Sequence, residues 1–112
     1  MKFTMSQTML THERKYDFVC TVMLKRSHVL KDVYLPKDDI LNWLFLETKD
    51  RLFSFVYKIE NPNEAKYNQP FRAKVAFTMY EEVKFIVKLN ETYKILRGQE
   101  NIGWLTINEF VY

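Results

Sequence analysis

From Phe71 to Met79, apolar residues occupy every second position. Phe71, Ala73, Val75, Phe77 and Met79 share one parity, and Arg72, Lys74, Ala76 and Thr78 take the other. A period of two belongs to extended backbone, whose side chains alternate between two faces, so this stretch predicts a half-buried strand. The pattern recurs through most of the chain. Phe53, Phe55, Tyr57 and Ile59 alternate within Arg51–Ile59, and Val83, Phe85, Val87 and Leu89 oppose Lys84, Ile86 and Lys88. In residues 15–25, Tyr16, Phe18, Cys20, Val22 and Leu24 face one way and Asp17, Val19, Thr21 and Met23 the other. Both parities there are partly apolar, as in a strand covered on both sides. Tyr93 and Ile95 open another strand, and Gly98–Asn101 reads as a four-residue hairpin connection into Ile102–Phe110. A shorter extended piece is read at Val29–Leu35.

One segment departs from the alternation. After Pro36, the acidic pair Asp38-Asp39 precedes Ile40, Leu41, Leu44 and Phe45, which have helical spacing. Acidic residues suit a helix N-terminus, so the spacing predicts one short helix near residues 38–47, with a hydrophobic strand as the competing reading. Asn61-Pro62-Asn63-Glu64 opens a polar loop that runs to Pro70. The expected fold is therefore mainly β: a small antiparallel β-barrel of about six strands with that one helix, because closing a small sheet removes its exposed edges. A length of 112 residues, 47% of them hydrophobic, matches a single domain over 1–112. The 16% aromatic content also favours strands.

Several chemistries are excluded by residue type. Gly98 and Gly103 are the only glycines, so no G-x-x-x-x-G-K phosphate loop exists. His12 and His28 have no cysteine or second histidine at ligand spacing, and no metal or cofactor is expected. Cys20 lies mid-strand and is read as a buried structural thiol rather than a nucleophile. The adjacent pairs Asp38-Asp39 and Glu81-Glu82 splay apart, so they are assigned to helix capping and turn solvation rather than acid–base work. The expectation is a protein that is not an enzyme. A lone cysteine points to a reducing compartment. Met1–Leu10 lacks the apolar core of a signal peptide, and no apolar run is long enough to span a membrane. A cytoplasmic, bacterial protein with no membrane partner is expected.

Net charge is +3, from 17 basic and 14 acidic residues that are largely intermixed. The outward parity places Arg72 and Lys74 on one strand, Lys84 and Lys88 on the next and Lys94 on a third. If those strands are neighbours, the five cations form a basic face able to meet phosphates or an acidic protein. Outward lysines also simply keep a sheet soluble and guard its edges. Phe71, Phe77 and Phe85 have the inward parity, so aromatics for base stacking are not interleaved with these cations. Trp43 and Trp104 are candidate interface aromatics, with core packing as the competing use.

The stretch Tyr93-Lys94-Ile95-Leu96-Arg97-Gly98-Gln99-Glu100-Asn101-Ile102-Gly103-Trp104-Leu105-Thr106-Ile107 resembles the end of the third domain of elongation factor Tu. The shared features are an aromatic (Tyr93), an apolar residue two places on (Ile95), a turn glycine (Gly98) and an apolar-Gly pair opening the last strand (Ile102, Gly103). Gln69–Phe77 is loosely similar to the loop and strand that lead into that barrel. Leu105 stands where the family has a second glycine in the last strand, and Gln99 and Glu100 fill its usual loop Gly and Arg positions. The resemblance implies a six-stranded antiparallel barrel whose role is binding, to transfer RNA and to proteins; the family's GTPase activity belongs to another domain.

Three functions are carried forward. The first is a non-enzymatic binding module with an elongation-factor-type barrel that acts through a protein partner, preferred over a nucleic-acid one. The second is an immunity-type inhibitor of a cognate toxin, motivated by small size and the absence of catalytic groups. The third is an RNA-binding domain that uses the basic face. No oligomeric state is implied.

Overall fold

Six strands make up the computed structural model, which describes residues 15–25, 36–49 and 51–111, with 39–43 as backbone alone. They are β1 (Phe18–Leu24), β2 (Asp39–Glu47), β3 (Leu52–Ile59), β4 (Phe71–Phe77), β5 (Thr92–Arg97) and β6 (Glu100–Phe110). All pair antiparallel and close into a barrel in the order β1-β4-β3-β2-β5-β6. The expected six-stranded antiparallel barrel is thus present. The inward parity fills its interior. Phe18, Cys20, Val22, Leu46, Phe53, Phe55, Val75, Ile95, Leu105 and Ile107 are buried in one continuous core. Small barrels of this kind are packed with side chains rather than hollow. On β1 the outward Val19 is also buried, and Thr21 and Met23 are half-buried.

Two segments exchange the roles expected of them. Residues 38–47 do not form a helix; they form β2. Leu44 and Leu46 point inward and Phe45 is half-buried, as alternation requires. The helical spacing came from an irregular stretch. Asp39 pairs with Tyr57 and Leu44 with Phe55, so β2 advances five residues while β3 advances two. Asp38 does not cap a helix either, because its Oδ1 accepts the N–H of Ile59 at 2.8 Å, at the end of the β3 ladder. Conversely, Val83–Leu89 is not a strand. Tyr80–Val83 forms the short helix α1, and the turns continue to Val87, whose N–H donates to the carbonyl of Val83 at 3.0 Å. Val83 and Val87 share a face at helical as well as strand spacing, and both are buried against the barrel end. Glu81 and Glu82 occupy the first turn, where the helix dipole favours acids. The need to close the barrel end outweighed the β-propensity of valine. The extended piece read at Val29–Leu35 lies outside the described residues.

The barrel has two differently built ends. At one, which we call the plug end, α1 and the residues after it cover the opening. Phe18 lies beneath them, edge-on to Phe77 (5.6 Å between centroids) and to Phe110 (4.9 Å), with Tyr80 at 5.9 Å. At the other, the loop end, the β3–β4 connection makes a 3-10 turn at Pro62–Glu64, and Ala65 and Tyr67 pack onto the core. Asn68, at φ 66°, donates its N–H to the carbonyl of Leu24 at 2.7 Å.

The β5–β6 hairpin also reaches the loop end. Arg97 pairs with Glu100, so the connection is the two-residue turn Gly98-Gln99, shorter than the four residues expected. Gly98 has φ 63°, the conformation that selects glycine at the first central turn position. Ile102 is the extra residue of a bulge, since Ile95 pairs with Gly103 and Leu96 with Asn101. Its carbonyl accepts the N–H of Lys25 at 2.7 Å. Next to it, Gly103 lies so close to β1 that an added Cβ would overlap the carbonyl oxygen of Met23. Leu105, which stands at the other glycine position of the resemblance, is instead a fully buried core residue.

Candidate functional site

Among the described residues, the exposed large apolar side chains are Leu52, Met79, Phe85, Leu89 and Val111. The strand directions place all five at the plug end. Leu52 opens β3, Met79 follows β4, Phe85 and Leu89 lie in the plug segment, and Val111 follows β6. Phe85 is the most exposed, at 81%. Its position follows from the helical turns. Val83 and Val87 point into the barrel, so Phe85, two residues from each, is turned away from it.

Polar contacts hold the segment that carries these side chains. Arg51, just before β3, places Nη1 2.6 Å from Oε1 of Glu82 and Nη2 3.3 Å from the Met79 sulfur. Lys84 pairs with Glu81 at 2.7 Å, and its ammonium lies 5.4 Å from the Tyr80 ring and 5.2 Å from that of Phe85. The hydrogen bond to Glu81 raises the Lys84 pKa. Tyr93 accepts the Lys88 N–H and donates to Glu91, both at 3.0 Å. Burial raises the Tyr93 pKa. Among the described residues, shallow depressions at this end are lined by Thr78–Glu82 and by Glu47, Thr48, Lys49, Thr92, Tyr93 and Lys94. Neither is an enclosed ligand cavity.

The five cations expected on one face are dispersed. Arg72 and Lys74 lie on β4 and Lys94 on β5, and the ring order puts two strands between β4 and β5 in either direction. The residues carrying Lys84 and Lys88 are the plug, not a neighbouring strand. Arg72 is bonded to Glu60 at 3.3 Å, and Lys74 lies opposite Lys58 across β3–β4. Phe85, assigned inward by parity, is outward; Phe71 and Phe77 are buried as expected.

Trp104 is half-buried on the outer wall of β6, not in the core. It pairs with Lys94 on β5 and Met23 on β1, and the Lys25 ammonium stands 5.0 Å from its ring. Trp43 belongs to β2, but its side chain lies outside the described residues, as do His12 and His28. Cys20 is buried, and burial pushes its thiol up to about 12, so it is inert as a nucleophile at neutral pH. Among the described residues, no three His, Cys, Asp or Glu side chains converge as metal ligands, and no helix is long and apolar enough to cross a membrane.

Parity reasoning missed the plug-end face because alternation at Val83–Leu89 fits a strand. The discriminating signal was Glu81-Glu82 ahead of two valines spaced i, i+4, which together spell a helical turn with Phe85 on its outer side. Compared with known proteins, the chain matches no family model, no curated protein and no solved structure.

Proposed function

We propose that the protein is a small non-enzymatic binding module that engages a protein partner through the plug end of its barrel. The observation that carries this reading is that, among the described residues, the exposed large apolar side chains Leu52, Met79, Phe85, Leu89 and Val111 all lie at this one end. Apolar side chains scattered over a surface need no explanation, but their concentration at one end of a barrel, beside charged residues, suits a protein contact. Phe85 is the anchor, because aromatic side chains dominate such contacts. The resemblance of the closing hairpin to the elongation-factor barrel, whose role is binding, points the same way.

The test is capture of partners by wild-type protein and by Phe85→Glu. At 81% exposure Phe85 contributes little to stability, so the variant should melt within about 0.5 kcal/mol of wild type while losing its partner. Unchanged capture would remove the plug end from the reading.

A nucleic-acid reading has one supporting observation: the half-exposed Trp104 between Lys25 and Lys94. An aromatic flanked by cations can stack a base and hold its phosphate. That reading requires RNA retention that falls steeply with salt and is lost in Lys25→Glu/Lys94→Glu.

A further inference from the structure

We infer that the partner of the plug end is a second copy of this chain, the two barrels meeting end to end about a two-fold axis. This rests on the protein-binding reading above and names its occupant. A two-fold contact brings a surface patch against itself, so the patch must be self-complementary in charge as well as apolar at its centre. The plug and its rim meet that condition. Among the described residues, Arg51, Lys84 and Lys88 stand with Glu81, Glu82 and Glu91 on or beside the segment that carries Phe85 and Leu89, and Lys49 and Lys94 stand with Glu47 on the adjoining wall. Signs alternate locally, because Arg51 is bonded to Glu82 and Lys84 to Glu81. Two such faces can approach with cations opposite carboxylates and Phe85 of each copy against the apolar residues of the other. The outer wall of β4 behaves differently. Arg72 there is paired with Glu60, but Lys74 and the Lys58 opposite it would bring like charges together in a self-contact, and like charges across an interface are costly. In a chain of net charge +3, the plug end carries both signs side by side among its described residues, which is what a self-contact requires.

Mobile pieces do not have to be ordered first. Val83 and Val87 fix the segment to the core, and the Arg51–Glu82 and Lys84–Glu81 pairs tie its outer side. A pre-formed face loses less entropy on association than a loop that must fold on contact.

Sedimentation equilibrium on the full chain tests the inference. Wild-type protein should be a dimer in concentration-dependent equilibrium with monomer, and the dimer should persist in high salt, because apolar contact rather than net charge attraction holds it. Phe85→Glu should weaken dimerisation by roughly 30-fold or more, the size of a central anchor's loss, with an unchanged melting temperature. Lys74→Glu, on the opposite kind of surface, should leave the dimer intact. A wild-type chain that remains monomeric up to roughly 1 mM overturns the inference. So does a dimer that Phe85→Glu leaves untouched. If the wild-type chain is monomeric but binds a different protein in a Phe85-dependent way, self-pairing fails and the protein-binding reading stands. If Phe85→Glu changes neither self-association nor any protein capture, both fail.

Discussion

The two ends of the barrel are closed by different means. At the plug end, side chains do the closing: Val83 and Val87 enter the core above a cluster of Phe18, Phe77, Tyr80 and Phe110. At the loop end, among the described residues, Ala65 and Tyr67 pack onto the core and backbone contacts tie the strands together. Asn68 N–H meets the Leu24 carbonyl, Lys25 N–H meets that of Ile102, and Gly103 lets β6 press against β1. A side-chain closure can present new residues on its outer surface without changing what lies beneath, since inward and outward positions are separate. A backbone contact uses its groups on itself and has no outer side chain to present. That separation of inner and outer positions puts the candidate docking face at the plug end.

Substitutions can break either closure separately. The largest effect is expected from Phe18→Ala, which empties the centre of the aromatic cluster; loss of about 3–5 kcal/mol should appear in urea unfolding. If the closures are independent, amide exchange should accelerate at 83–87 before it does at Asn68 and Lys25. Gly103→Ala attacks the other end. The new methyl would collide with a backbone carbonyl that cannot rotate away, costing about 3 kcal/mol, and here the amides of Lys25 and Asn68 should lose protection first.

Cys20 sits midway along β1, so its titration reports on the barrel as a whole. Its folded pKa is raised from an ordinary 9.0 to about 12, so the unfolded chain gives up the thiol proton first as pH rises. The thiol's contribution is therefore complete below pH 9 and declines between 9 and 12, by at most about 1.4 kcal/mol per pH unit. Cys20→Ala should flatten that part of the stability profile while keeping the part due to tyrosine and lysine. The smallest effect belongs to Asp38→Ala. It orphans the N–H of Ile59 at the loop end and should cost about 1–2 kcal/mol, with exchange at that amide as the local readout.

How far the fold was legible depends on what each residue pattern has to distinguish. β3 and β4 were plain because Phe53, Phe55, Tyr57 and Ile59, and Phe71, Ala73, Val75 and Phe77, hold every second position, a period that belongs to extended backbone even though Val56 and Ala76 on the other parity are buried too. The strand count was right through an exchange, with residues 38–47 gained as a strand and 83–89 lost as one. Ile40, Leu41, Leu44 and Phe45 look helical because β2 is irregular against β3, and pairing with a distant strand is not written in local spacing. Val83 and Val87 suit either conformation, and the open barrel end selected the helical one. The expected basic face depended on which strands are neighbours. That is a property of topology, and it separates β4 from β5. Trp104 kept its place as a candidate, but its cation partner Lys25 comes from β1's far end, which no reading of the hairpin alone could supply.

The ring closes between its first and last strands: β1 pairs with β4 on one side and with β6 on the other. A chain emerging from the ribosome therefore exposes Phe18–Leu24 early and cannot seat it fully until Glu100–Phe110 has been made. Until then β1 and β5 each lack a neighbour, two adhesive edges on a five-stranded intermediate. Such pairing across nearly the whole chain makes for slow folding. Synthesis is thus the moment when this barrel is most exposed to aggregation, and a chain stalled before Glu100 would keep both edges open to pairing with other chains.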